Sequence, residues 1–240
     1  MTTAQPVRQS RASQSDRVPP LVVASAIVGA VITVAALLSF LLGADWYLLK
    51  LGEENNIPTW YSSSQLLLVA LALSALAVRD TRVKPLRSLA LIAAPTLFFI
   101  LSLDEIAMIH ERIGVGLQSA GIGTGLRTTS WMFVFAPFVA VVGLISVWAC
   151  WPYVRGRSKT LWLLAAGVVL YGASAVGLEF IANFVGEGSL WQKGLGFAEE
   201  YGEMLAVTLL LWGCLTILQS QGIRLDLGDR KETTPCVGGS

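Results

Sequence analysis

Six stretches of this sequence are long and apolar enough to cross the hydrocarbon core of a bilayer, which takes about 20 residues of helix. A backbone surrounded by hydrocarbon must satisfy its own hydrogen bonds, so each stretch is expected to be helical. The sequence therefore predicts an all-α polytopic membrane protein, a bundle of six transmembrane helices. The predicted spans are residues 21–43, 60–78, 88–112, 130–152, 161–185 and 197–219.

The composition favours the membrane class and argues against nucleic acid as a partner. Of the 240 residues, 54% are hydrophobic and 14% are charged, whereas soluble domains carry about 25% charged residues. The net charge is only +1, and the sequence has no basic stripe with interleaved aromatic residues of the kind that binds nucleic acid. The partner that the sequence predicts is the lipid bilayer.

The two ends of the chain differ from its apolar middle, which is predicted to be one transmembrane domain over residues 21–219. Residues 1–20 are polar and rich in Ser, Gln and Arg, a composition typical of disorder, and the tail at 220–240 is polar as well. The first apolar run is longer than the roughly 7–15 residues of a signal-peptide core, so it is expected to remain as the first span. Three widely spaced cysteines predict no disulfide framework.

Basic residues indicate how the six spans are oriented. Cytoplasmic loops of membrane proteins are enriched in Lys and Arg. With both termini in the cytoplasm, 13 of the 17 basic residues fall on the cytoplasmic side. This pattern predicts cytoplasmic termini and a location in a cell membrane, either a plasma membrane or a bacterial inner membrane. The basic residues on the outer side are Lys50, Arg112, Arg127 and Lys193.

Acidic residues show the opposite bias, which needs another cause because they contribute little to orientation. Eleven of the 16 fall at the outer ends of spans or in outer connections. The outer ends of the third and fifth spans and the start of the sixth therefore meet at a similar depth. Ionisable groups inside a membrane are costly and usually functional. The eleven are Asp45, Glu53, Glu54, Asp104, Glu105, Glu111, Glu179, Glu187, Glu199, Glu200 and Glu203.

The third span carries the densest of these polar patches. It ends in SLDEIAMIHE, residues 102–111, and reaches spanning length only if this charged end is included. On a continuous helix with 100° per residue, Asp104 and Glu111 would be nearly eclipsed. His110 would lie about 100° around from Glu111, either at the edge of the cluster or facing another helix.

The pattern predicts a cation or metal site in the outer half of the membrane. Carboxylates crowded in a low dielectric cannot all ionise, so cations or protons must neutralise part of them. Carboxylate oxygens bind hard cations such as Ca²⁺, Mg²⁺ and Mn²⁺, and an imidazole shifts the preference toward Mn, Fe or Zn. The expected cofactor is a divalent or transition metal (Mn, Fe, Zn or Ca), with a proton as the alternative. The first-choice ligands are Asp104, Glu111, Glu179 and Glu203, and the secondary candidates are Glu105, Glu200 and His110.

Simpler interpretations stay open for several of these residues. Glu199 and Glu200 open a helix, where acids complement the helix dipole. Glu111 suits the solvated end of the third span, and a single histidine at a span end, such as His110, is often only hydrogen-bonded. The acids whose apolar surroundings most strongly favour a functional role are Asp104 and Glu179.

No familiar catalytic motif accompanies the acids. The HExxH and GxSxG motifs are absent, and the glycine-rich stretch 114–125 lacks the lysine of a phosphate loop and is expected to be a flexible outer connection. Helical carboxylate-bridged di-metal proteins carry two Glu-x-x-His motifs, but here Ala107 precedes His110 by three residues and no second histidine exists. The sequence assigns the chain to no known family.

Three functions remain as hypotheses. The first is cation binding at the outer site, in the service of transport or sensing. The alternative is a membrane-embedded metal-dependent enzyme, oxidative or hydrolytic, that acts on a lipid-soluble substrate. The third is a structural membrane scaffold whose acidic rim has no chemical role.

Overall fold

A computed structural model describes residues 18–44, 46–51, 55–79, 85–123 and 129–223. This part of the chain is 85% helical and contains no strand, as the all-α prediction requires. The predictions of disorder for residues 1–20 and of a polar tail at 220–240 lie almost entirely outside the described residues.

Seven helices of more than ten residues make up the described part of the chain, and all except α4 are long and apolar enough to cross a membrane. These six correspond in order to the six predicted spans. The helices are α1 (Pro20–Leu41), α2 (Ile57–Arg79), α3 (Pro85–Ala107), α4 (Ile109–Ser119), α5 (Met132–Val154), α6 (Ser158–Ala182) and α7 (Leu190–Ser220).

The third span ends earlier than the sequence predicts. Met108 adopts the left-handed conformation with φ 54°, which is uncommon for a residue other than glycine, and it separates α3 from α4. The expectation that Asp104 and Glu111 are eclipsed on one continuous helix is therefore wrong. The expected flexible connection at 114–125 is also wrong in part, because α4 continues to Ser119.

The core of the bundle lies between α2 and α7. The most apolar windows of these two helices are 56% and 67% buried, compared with 11% for α5 and α6. Large apolar side chains such as Leu144, Val169 and Leu71 are instead exposed on the outside of the bundle. An apolar outer surface of this extent is typical of proteins that contact membrane.

Glycines let α6 and α7 approach each other closely. A Cβ atom at Gly167 would lie 2.7 Å from Cγ of Leu210, and one at Gly202 would overlap the Ser174 hydroxyl. A Cβ at Gly213 would likewise clash with a leucine of α6. Small residues at such contacts allow helices to pack with little space between their backbones. This packing places the C-terminal part of α6 beside the first half of α7.

Candidate functional site

The turn at Met108 brings His110 back onto Asp104. The backbone N–H of His110 donates to Asp104 Oδ1 at 2.8 Å, and its ring Nδ1 lies 2.9 Å from Asp104 Oδ2. The residue Asp104 is buried, at 7% exposure. Its carboxylate therefore caps the first turn of α4 and also holds the imidazole ring through Nδ1, so Asp104 does not engage Nε2.

Neighbouring charges favour the protonated form of His110. Burial lowers the pKa of the imidazole, but the hydrogen bond to Asp104 and the negative charges of Asp104, Glu179 and Glu111 raise it. The net effect is a pKa above the usual value of 6.5 for histidine. The half-buried ring and the buried Asp104 carboxylate thus form a pair that favours the protonated imidazole.

Trp131 connects this pair to the fifth predicted span. Its indole Nε1 donates to both carboxylate oxygens of Glu179, at 3.0 and 3.1 Å. The indole ring also meets the His110 ring edge-on, with the ring centroids 5.1 Å apart. We call Asp104, His110, Trp131 and Glu179 the outer tetrad, after the side of the membrane on which the sequence predicts it to lie. It joins the C-terminal end of α3, the start of α4, the residue before α5 and the C-terminal part of α6.

A π-helical turn at Ala173–Leu178 directly precedes Glu179. Such turns are rare and often occur at functional sites, because the extra residue widens the helix and re-aims the side chains that follow. Ser174 within this turn is buried against α7. The turn is therefore part of what directs the Glu179 carboxylate at Trp131.

A second group of acids lies on the α7 side of the site. Four carboxylates are close enough to Glu203 to interact with it electrostatically. They come from α3, α6 and α7 itself, as the sequence predicted from topology alone. We call this group, with Glu203, the acidic cluster; its members are Glu105, Glu179, Glu199, Glu200 and Glu203.

Glu111 does not join the acidic cluster. It is exposed on α4, because the left-handed turn at Met108 rotates α4 away from the direction of α3. Its charge acts on His110, whose pKa it helps to raise. The prediction that Glu111 lies beside Asp104 is therefore wrong. The other six predicted residues lie in the outer tetrad or the acidic cluster.

Within the described part of the chain, no three His, Cys, Asp or Glu side chains are close enough to hold one metal ion. Both oxygens of Asp104 are engaged by His110, and both oxygens of Glu179 by Trp131. The metal role expected of Asp104, Glu111, Glu179, Glu203, Glu105, Glu200 and His110 stays a prediction.

Sequence reasoning missed Trp131 as a member of the site. It is an aromatic residue at a predicted membrane interface, where tryptophan is common without any polar partner. The signal that could have found it is chemical: the Glu179 carboxylate, away from water, needs a hydrogen-bond donor, and a buried indole N–H needs an acceptor. That signal identifies the type of partner but not its position.

Comparison with known proteins places the chain in a family. A family model described as "Domain of unknown function (DUF8692)" matches residues 20–218, which include all six long helices apart from the last residues of α7. The chain therefore belongs to this family. No curated protein and no solved structure matches it.

Proposed function

We propose that this member of the DUF8692 family is a multi-pass protein of a cell membrane that binds a cation at the acidic cluster. Both termini lie in the cytoplasm in this proposal, so the cluster lies in the outer half of the membrane. The six long apolar helices and the concentration of Lys and Arg on one side support this arrangement.

The observation that carries the proposal is the convergence of acids on Glu203. Carboxylates of α3, α6 and α7 interact with it inside a helical bundle. Like charges so placed repel each other, and protons or a bound cation relieve the repulsion. A bound cation, either a metal ion such as Ca²⁺, Mn²⁺, Fe or Zn, or a proton, would therefore stabilise the fold.

Sensing suits the distribution of charge better than a continuous transport path. All members of the outer tetrad and the acidic cluster lie toward one end of the bundle. The core between α2 and α7 farther from this end is built mainly from leucine, valine and alanine. Cation binding at one end is then transmitted by movement of helices rather than by passage through the protein.

Cation binding is tested on the full chain purified in mild detergent. Metal content and thermal stability are measured with and without chelator, and binding of Ca²⁺, Mn²⁺ and Zn²⁺ is measured by calorimetry. We expect Glu203→Gln to weaken binding at least about tenfold, while Glu111→Gln, on the exposed side of α4, binds like the wild type. A wild type that responds neither to any metal ion nor to pH would refute the proposal.

The proposed orientation is tested by cysteine labelling in a variant without the three native cysteines. Ser119 ends α4 and Ser158 begins α6, and both are exposed. A cysteine at 119 should react with a membrane-impermeant maleimide in intact cells, and one at 158 only after permeabilisation. The reverse result would place both termini outside.

A metal-dependent enzyme is the second candidate, and the pairing of His110 with Asp104 favours it. A carboxylate that holds Nδ1 of a histidine orients the ring and leaves Nε2 available to a metal ion or a substrate proton. If the protein is such an enzyme, the purified wild type retains a metal ion and the His110→Gln variant does not. The wild type also oxidises or hydrolyses a lipid-soluble substrate. The scaffold hypothesis instead expects Glu203→Gln and His110→Gln to change stability alone.

A further inference from the structure

A hydrogen-bonded network fixes the amide of Gln65 in the middle of the bundle. The side-chain nitrogen of Gln65 donates to Ser25 Oγ at 2.8 Å and to Thr208 Oγ1 at 2.9 Å, and it lies 3.1 Å from the Tyr61 hydroxyl. The hydroxyl of Tyr61 donates to the backbone carbonyl of Ser25 on α1, and the hydroxyl of Thr208 donates to the carbonyl of Met204 in its own helix. They therefore face Gln65 as acceptors, which requires its nitrogen on that side and directs Oε1 the other way.

Two polar atoms of α2 remain without a hydrogen-bond partner among the described residues. They are Oε1 of Gln65 and Oγ of Ser62, and each of the two residues is only 1% exposed. They are three positions apart and so lie on nearly the same face of α2, about 60° from each other. An unpaired buried polar atom is costly, all the more in a bundle surrounded by hydrocarbon.

Ser62 faces the interior between α3 and α7. On one side of it, Ser63 exchanges hydrogen bonds of 2.8 and 2.9 Å with Ser102 of α3. On the other side, Gln65 is bonded to Thr208 of α7. Because Ser62 lies between Ser63 and Gln65 around the helix axis, its hydroxyl is directed at the space that α3 and α7 enclose.

The acids of α3 and α7 reach the same level as Ser62. The bonds to Ser102 and Thr208 align the three helices in depth, and with about 1.5 Å of rise per residue Glu105 and Glu203 lie within about one turn of Ser62. Glu203 also points inward: Val207, four residues later on the same face, is fully buried, whereas Leu205 on the opposite face is exposed. The two unpartnered oxygens and Glu203 thus border one region.

We propose that Ser62 Oγ and Gln65 Oε1 bind, together with the Glu203 carboxylate, a partly dehydrated hard cation of single charge, of the Na⁺ class. This inference rests on the proposed function and names the ligand of the same site. No three acidic, histidine or cysteine side chains in the described ranges share one point, so a bound ion must take neutral oxygens as well. Hard cations accept such oxygens, and Glu203, the one carboxylate in this set of three ligands, balances one positive charge.

The test uses thermal unfolding of the full chain in detergent, in NaCl and in choline chloride of the same ionic strength. In choline, Ser62→Ala should be as stable as the wild type or more so, since it removes an unpaired hydroxyl. Na⁺ should stabilise the wild type, and Ser62→Ala should need about tenfold more Na⁺ for the same effect, or ~1.4 kcal/mol of binding free energy. Glu203→Gln should abolish the response to Na⁺.

Ser64→Ala is the matched control, because the Ser64 hydroxyl bonds within its own helix to the carbonyl of Trp60. It should respond to Na⁺ like the wild type. Equal responses of the wild type and Ser62→Ala would overturn the role of Ser62. Stabilisation by Ca²⁺, another metal ion or protons without any response to Na⁺ would overturn the Na⁺ assignment and leave the proposed function standing. A wild type that responds to none of them would overturn both.

Discussion

Replacing Asp104 by alanine removes two interactions from one buried carboxylate. The backbone N–H of His110 loses its acceptor at the start of α4, and the imidazole loses its hydrogen bond. Loss of a helix cap costs about 1 kcal/mol, and loss of a hydrogen bond to a charged group about 1.5–3 kcal/mol. We expect Asp104→Ala to lower the free energy of unfolding by about 2.5–4 kcal/mol.

A second variant separates the two contributions. Asp104→Asn keeps an amide oxygen that can still accept from the His110 backbone, but it lacks the charge that favours the protonated ring. It should lose only the part due to the ring, about 1.5–3 kcal/mol. His110→Ala should lose a similar amount, and the double variant Asp104→Ala, His110→Ala should lose less than the sum of the two single variants.

Denaturant unfolding in detergent measures the global loss, and hydrogen exchange followed by mass spectrometry measures the local one. Exchange in α4 should accelerate most in Asp104→Ala, less in Asp104→Asn, and not at all in the exposed control Glu111→Gln. If exchange in α4 is unchanged in Asp104→Ala, the carboxylate does not cap the helix and the reasoning fails. Additive losses in the double variant would equally show that Asp104 and His110 do not act on each other.

Three further predictions follow from the site and its packing. The pKa of His110 is raised in the folded protein, so its pairing with Asp104 stabilises the fold fully below the unfolded value of about 6.5; this part of the stability is lost as pH rises through the higher folded pKa. Gly202→Ala forces a methyl group against the Ser174 hydroxyl and should cost about 1–3 kcal/mol, measured by denaturant unfolding. Trp131→Phe removes both hydrogen bonds to Glu179 and should cost about 1.5–3 kcal/mol in the same assay.

Each of these predictions has a control in the chain. His110→Gln should flatten the loss of stability between neutral and alkaline pH, and an unchanged profile would assign the titration to another group. Gly143→Ala, where a Cβ meets nothing within 4 Å, should leave stability unchanged or improve it. For Trp131, replacement of the more exposed Trp148 by Phe should cost less; equal costs would mean that the indole N–H contributes nothing.

Hydropathy was sufficient to locate the six long helices. Each needs about 20 apolar residues, and that requirement is local to each segment. The end of the third span could not be found this way, because hydropathy does not mark the left-handed turn at Met108. It is held in part by Asp104, whose carboxylate is engaged by His110 two residues after the turn. A continuous helix was the expectation, since nothing near Met108 is a proline or glycine that usually breaks one.

The acidic cluster was predictable because topology alone brings the outer ends of the third, fifth and sixth spans together. The hydrogen-bond partners of its members could not be predicted. The hydrogen bond between Trp131 and Glu179 joins residues 48 positions apart, and the π-helical turn at Ala173–Leu178 has no sequence signature of its own. Likewise, Ser62 and Gln65 could be recognised only as polar residues that open the second span, since their lack of partners is a property of the packed bundle.

The close contacts at Gly167, Gly202 and Gly213 hold α6 and α7 near each other, because the glycine at each contact leaves room for a side chain of the facing helix. The end of α3 and the start of α4 instead meet at a turn made by the single residue Met108. The Asp104 carboxylate accepts a hydrogen bond from His110 across this turn. A hinge movement at Met108 would rotate α4 relative to α3 and break the hydrogen bonds between His110 and Asp104. Helix α7, which carries Glu203, would stay in place.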